Sequence, residues 1–173
     1  MQGWFNTRIE NYLATKGKQI IGWDEIREGG LSPNATVQSW RGFEVGIEAV
    51  EQGHDAIMSP TSHAYFDYPV SSIDVPKVYS YSPIPNDLDP LLAGHILGGE
   101  CNLWSEHIAD IETLDRRFLP RGIAMAEVLW SHPLDRDYHA FWERLQNHYP
   151  MLDALGYSYD VEQVPVKLAT KND

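Results

Sequence analysis

Four short apolar runs constrain this chain most: KQIIGW (18–23), ATVQSW (35–40), DAIMSP (55–60) and HILGGECNLW (95–104). The first three are too short for an ordinary helix and are flanked by turn-forming residues, so each reads as a strand, and the fourth run contains another. Around them lie stretches with apolar residues at helical spacing. Residues 2–15 carry Trp4, Phe5, Ile9, Tyr12 and Leu13, with Gly17 placed to end a helix. Residues 43–52 form a second helix, ended by Gly53. A long helix is expected from Asp110 or Thr113 through Trp130, and another over 136–155 with Phe141, Trp142, Leu145, Tyr149 and Leu152 on one stripe. Strands alternating with amphipathic helices indicate an α/β fold with a parallel sheet. One departure is visible: a loop of about ten residues, without a clear helix, joins the first two strands. Residues 61–90 read as a long polar connection interrupted by prolines, and the segment from 161 as a polar tail or linker.

With 173 residues the chain is long enough for one domain with a sizeable core. Thirteen basic against 25 acidic residues leave a net charge of −12, with no basic cluster. Such a surface repels phosphates, which argues against a nucleic acid or an anionic membrane as partner. No apolar run approaches the length of a membrane span, and the opening MQGWFNTRIENYL has neither an apolar h-region nor a cleavage site of a signal peptide. A single cysteine, Cys101, allows no internal disulfide and no cysteine metal cluster, and reads as a small buried residue of the last strand. The histidines show no metal-ligand spacing, so neither a metal nor another cofactor is expected. Six Trp and nine Tyr are the outlier, suited either to core mass or to a flat binding wall.

Polar and aromatic residues collect just after each strand: Trp23-Asp24-Glu25, Trp40-Arg41, Ser62 to Asp67, and Trp104 to His107. In α/β folds ligands bind at the carboxyl ends of strands. The Asp24-Glu25 couple beside a tryptophan looks like an acid and its helper. Neighbours in a regular strand point to opposite faces, however, so at most one of them would face a site there. Taken residue by residue, the pattern leaves plainer roles open. Trp23 and Trp40 are compatible with packing at the rim of the sheet, Tyr65 with core or surface packing, and Asp67 and Glu106 with solvated loop charges. Trp4, Trp130 and Trp142 lie on expected helices and read as core. Glu127 reads as a helix-packing carboxylate with an arginine partner, Arg121 or one outside the chain.

Taken together, IIGWDEI, ATVQSWRG, SPTSHAYFDY, VYSYSPIP, LGGECNLWSEHI and FLPRGIAMAEVLWS, in this order over about residues 1–132, resemble the family 20 glycoside hydrolases, the β-N-acetylhexosaminidases. The resemblance implies a partial (β/α)8 barrel: about strands 5 to 8 with their helices, then an extra C-terminal helix. Residues 1–160 would be the C-terminal half of the catalytic barrel and 161–173 a tail or linker. It also implies the chemistry. The substrate is a terminal β-linked N-acetylglucosamine or N-acetylgalactosamine of a glycan, and its own 2-acetamido oxygen attacks the anomeric carbon to give an oxazolinium-like intermediate. Trp23, Trp40 and Trp104 would wall the pocket for the sugar and its acetamide methyl. Tyr65 would donate its phenol to the acetamide oxygen. Asp67 and Glu106 would accept hydrogen bonds from sugar hydroxyls, at carbons 4 and 6. Asp24 and Glu25 would be rim or structural groups.

Parts of the family's site have no counterpart here. Its acid, the Glu of an H-x-G-G-D-E segment on the fourth strand, is absent; the GGE at 98–100 lacks the Asp and belongs to the last strand. The family's first-strand arginine and a further loop tryptophan are absent as well. The expectation is therefore a piece of a longer enzyme, exported by family analogy. It would be inactive alone and completed by the missing half of the barrel or by a second copy. The alternative is a non-catalytic sugar-binding or self-associating module.

Overall fold

In the computed structural model, residues 1–161 are described. Their elements run α1 (Gln2–Ala14), β1 (Ile21–Trp23), a 3-10 turn (Asp24–Arg27), β2 (Thr36–Ser39), α2 (Glu44–Glu51), β3 (Ala56–Met58), α3 (Thr61–Ala64) and α4 (Val75–Tyr79). A 3-10 turn (Pro90–His95) leads into β4 (Ile96–Gly99), followed by a 3-10 turn (Ser105–His107), α5 (Ile111–Phe118), α6 (Arg121–Trp130), a 3-10 turn (Pro133–Asp135), α7 (Tyr138–Gln146) and α8 (Tyr149–Leu155). They group into two compact units: Met1–Ser62 with Pro83–Glu100, and His63–Ser82 with the described residues from Cys101 onward. The expected tail lies almost wholly outside the described residues.

The first unit holds the sheet. Its four strands are parallel in the order β1-β2-β3-β4. Gly22 pairs with Val37, Val37 with Ala56, and Ala56 with Ile96, where a register shift follows. Period-two alternation sets the faces. Val37, Ser39, Ala56 and Met58 are buried, and α2 packs across β2 and β3. The helix comes close because position 46 is glycine: a Cβ there would lie 2.5 Å from the Met58 methyl and 3.3 Å from Ser39 Cβ. Ser39 Oγ ties the two elements, accepting from Gly46 N–H at 3.1 Å and donating to the Gly42 carbonyl at 2.7 Å. Ile26, Ala35, Val37 and Ala49 form a small core against which Ile20, Leu31 and Val45 pack. α1 is the exception. It ends as expected, with Gly17 at φ 66°, but none of its residues is buried. Trp4, read as core, is 65% exposed. The helix touches its unit chiefly at the Asp24–Arg27 turn, and Trp4, Phe5, Ile9 and Tyr12 on its apolar side stay exposed.

The second unit is helical. Its core contains Phe66, Ile73, Val75, Val78, Tyr79, Tyr81, Met125, Val128, Phe141 and Leu145. Much of it comes from the segment read as a polar connection, which instead carries α4 packed on α6. Arg121 ties down the first part of that segment, Phe66 to Ile73. Fully buried, it donates to the carbonyls of Phe66 (2.5 Å), Ile73 (3.0 Å), Tyr68 and Arg117, and its guanidinium lies 4.7 Å from the Phe66 ring centre. Burial pushes its pKa down to about 10. Arg121 is thus committed to backbone. The arginine that meets Glu127 is Arg144, at 2.7 and 2.9 Å, and the Tyr79 hydroxyl donates to the same carboxylate.

Both long helices expected in this region are broken. Asp110 is the cap, accepting from Thr113 N–H at 2.7 Å, but α5 ends at Phe118 and α6 restarts after Pro120. Proline lacks the N–H that a continuous helix needs and clashes with the turn before it. Pro150 likewise sits in the first turn of α8 and separates it from α7. Trp130, at the end of α6, is 93% exposed and so is not core within this chain, whereas Trp142 is half-buried. Cys101 is half-buried and lies just after β4. Among the described residues no helix is long and apolar enough to cross a membrane.

Candidate active site

Trp23 is the last residue of β1, half-buried and paired with Gln38. At φ −60°, ψ 170° it leads directly into the Asp24–Arg27 turn, so the two carboxylates leave the strand geometry and both reach the next strand end. Asp24, 3% exposed, accepts from the backbone N–H groups of Trp40 (3.1 Å) and Arg41 (3.2 Å). Glu25 accepts from the Trp40 indole N–H at 3.2 Å and from the Arg41 guanidinium at 2.5 Å. The Arg41 guanidinium carbon lies 4.8 Å from the centre of the Trp40 ring. Burial pushes the Asp24 carboxyl up, against the pull of the two N–H groups and Arg41. Burial acts on Glu25 in the same sense, but its own N–H, the Trp40 indole and Arg41 outweigh it and hold the carboxyl below its usual range.

A third carboxylate, that of the GGE at 98–100, has no role in the expected site but also stands at this sheet end. Glu100, half-buried just after β4, accepts from the Gln38 amide and from Ser59 Oγ at 3.4 Å. Burial raises its pKa. Gln38 faces away from the buried Val37 and Ser39 and therefore away from α2. The signal available was a carboxylate following two glycines at a strand end, the position where α/β sites collect polar groups.

The other four expected site residues lie in the second unit. Tyr65 forms an isolated parallel bridge with Asn102: Asn102 N–H donates to the Ala64 carbonyl at 2.7 Å, and Phe66 N–H to the Asn102 carbonyl at 2.8 Å. This pairing draws Tyr65 to 7% and Asp67 to 3% exposure. The Tyr65 ring centre is 5.8 Å from that of Tyr68. Oδ1 of Asp67 is buried without a hydrogen-bond partner. A buried acceptor left unmet costs about 1–3 kcal/mol, so such an atom calls for a donor from elsewhere. Trp104 is 45% exposed at the start of the Ser105–His107 turn. Glu106 is open to solvent, with Oε1 3.0 Å from His107 Nε2. A solvated charge therefore describes Glu106 in this structure but not Asp67. The six residues divide between the units, Trp23 and Trp40 in the first and Tyr65, Asp67, Trp104 and Glu106 in the second. Among the described residues no group of three His, Cys, Asp or Glu is placed to hold a metal ion.

The family model of the glycosyl hydrolase family 20 catalytic domain matches residues 1–133. This chain belongs to glycosyl hydrolase family 20. It is 38% identical to a beta-hexosaminidase of Porphyromonas gingivalis, an alignment covering 93% of this chain and 22% of that protein. It is 30% identical to a beta-N-acetylhexosaminidase of Cellulomonas fimi, over 88% of this chain and 34% of that one. Among solved structures, it superposes with a TM-score of 0.83 on a family 20 exo beta-N-acetylglucosaminidase from Vibrio harveyi in complex with N-acetylglucosamine, at 30% identity, 92% coverage of this chain and 27% of that one. A family 20 beta-N-acetylhexosaminidase of Streptomyces coelicolor gives 0.80 at 27% identity, over 93% of this chain and 36% of its own. The chain thus spans 22% and 34% of the lengths of the two curated relatives. The α/β fold with a four-stranded parallel sheet is the one these family 20 structures match.

Proposed function

We propose that this chain is part of a β-N-acetylhexosaminidase that removes terminal β-linked N-acetylglucosamine or N-acetylgalactosamine from glycans by substrate-assisted, retaining hydrolysis. It contributes the aromatic and acetamide-binding half of the site. Family membership and the names of its relatives support the reaction class. The observation that carries the site assignment is the buried pair Tyr65 and Asp67, the latter with an oxygen that lacks a donor.

In this reading the 2-acetamido oxygen forms a bond to the anomeric carbon as the glycosidic carbon–oxygen bond breaks, and water later opens the oxazolinium with retention. The Tyr65 hydroxyl donates to the acetamide oxygen and orients it for attack. Trp23, Trp40 and Trp104 pack on the sugar and the acetamide methyl and exclude water. Asp67 and Glu106 accept from ring hydroxyls, where a charged acceptor makes the stronger bond. The leaving oxygen takes its proton from an acid outside these 173 residues, which contain no H-x-G-G-D-E segment.

A sheet ending at β1 and β4, and a helix α1 with no buried residue, support reading residues 1–160 as strands 5 to 8 of an eight-stranded barrel with their helices. The missing half or a second copy would complete it. The exposed apolar side of α1 also favours a second reading, a self-associating or sugar-binding module without catalysis. Tyr65→Phe in the intact enzyme tests the main one. Loss of a preorganised donor of this kind lowers kcat about 100- to 1,000-fold. An unchanged kcat removes Tyr65 from the reaction.

A further inference from the structure

We propose that Glu25 is a positioning residue that fixes the sugar-facing surface of Trp40; the proposal rests on the reading of Trp40 as a wall of the pocket. Asp24 and Glu25 divide one task. Asp24 holds the backbone of the next strand end through two N–H groups, at 3.1 and 3.2 Å. Glu25 holds the Trp40 indole and shares the Arg41 guanidinium with Asp24, whose Oδ2 lies 3.8 Å from it. An indole has one N–H, so the 3.2 Å bond from Trp40 Nε1 to Glu25 selects which edge of the ring turns toward Glu25. The other Glu25 oxygen binds the Arg41 guanidinium at 2.5 Å, and that guanidinium lies over the Trp40 ring, 4.8 Å from its centre. Stacking of this kind suits the planar guanidinium. Arg41 thereby covers one face of the indole and leaves at most the opposite face for the C–H groups of a sugar. Glu25 acts on substrate only through these two side chains.

A wall contact exists in both the ground state and the transition state, so its loss raises KM and leaves kcat nearly unchanged. The test measures kcat and KM for an aryl N-acetyl-β-glucosaminide, and the inhibition constant of N-acetylglucosamine, in intact enzyme carrying Glu25→Ala, Glu25→Gln or Trp40→Ala. Glu25→Ala is expected to raise KM and the inhibition constant about tenfold, the effect of one lost hydrogen bond with its ion pair. Glu25→Gln keeps an acceptor for the indole and is expected to raise both by only about two- to threefold. A Glu25→Ala enzyme with unchanged KM overturns the proposal, whatever happens to its melting temperature. Where Glu25→Ala does not fold, Glu25→Gln and Arg41→Met decide, and unchanged KM in both overturns it. Trp40→Ala separates the two levels. Unaltered sugar binding there overturns both the pocket-wall reading and this proposal. Weakened binding with a normal Glu25→Ala enzyme overturns this proposal alone.

Discussion

At the scale of single residues, adjacency is a poor guide to chemistry. Asp24 and Glu25 look like a catalytic couple, yet each is committed to the Trp40-Arg41 pair by hydrogen bonds that only the folded sheet supplies. Asp67 and Glu106 are both carboxylates following a strand; burial separates them, and the bridge beside Asp67 joins residues 37 positions apart, Tyr65 and Asn102. No local pattern reports such a contact. The unmet Asp67 oxygen leads to a prediction: Asp67→Asn, nearly isosteric but uncharged, lowers kcat/KM about 10- to 100-fold, the worth of a charged hydrogen bond. Steady-state kinetics with an aryl N-acetyl-β-glucosaminide would check it, and an unchanged kcat/KM would remove Asp67 from the pocket. His63 gives a second. Burial, with Lys77 nearby, lowers its pKa from 6.5 to about 4. The folded protein then binds this proton less readily than the unfolded chain. Its contribution to stability is complete above about pH 6.5 and is lost as pH falls toward about 4. His63→Gln should therefore show a smaller drop in melting temperature between pH 7 and pH 5 than the unsubstituted protein.

At the scale of elements, the parallel strands and α2 were legible because short apolar runs between turn residues and the helical period are local signals. The helix breaks at Pro120 and Pro150 were equally local, and the apolar stripes running through them masked the boundaries. The ordered segment after residue 61 was not legible. Its first part is held by Arg121, some 50 positions away, which satisfies carbonyls of Phe66, Tyr68 and Ile73. Arg121→Met removes every one of these donors and leaves buried acceptors unmet. It should cost roughly 3 kcal/mol or more in urea unfolding, and Arg121→Lys should recover only part of that, since an ammonium cannot reproduce the planar fork. A loss below about 1 kcal/mol would mean that packing of Phe66, Ile73 and Val78 alone orders the segment.

At the scale of the molecule, the sheet has two ends, and two tryptophans that belong in a core by their helical spacing are exposed, Trp4 at 65% and Trp130 at 93%. The sequence pattern that marks an apolar helix face is blind to whether the partner face lies within the same chain. Together with relatives of which the chain covers 22% and 34%, these exposed surfaces support the proposal that the chain is part of a longer enzyme whose acid lies outside these residues. Turnover of a chromogenic aryl N-acetyl-β-glucosaminide by the purified 173-residue chain, set beside the intact enzyme, is the deciding comparison. No turnover above the uncatalysed rate is expected from the chain alone. Turnover comparable to that of the intact enzyme would contradict it.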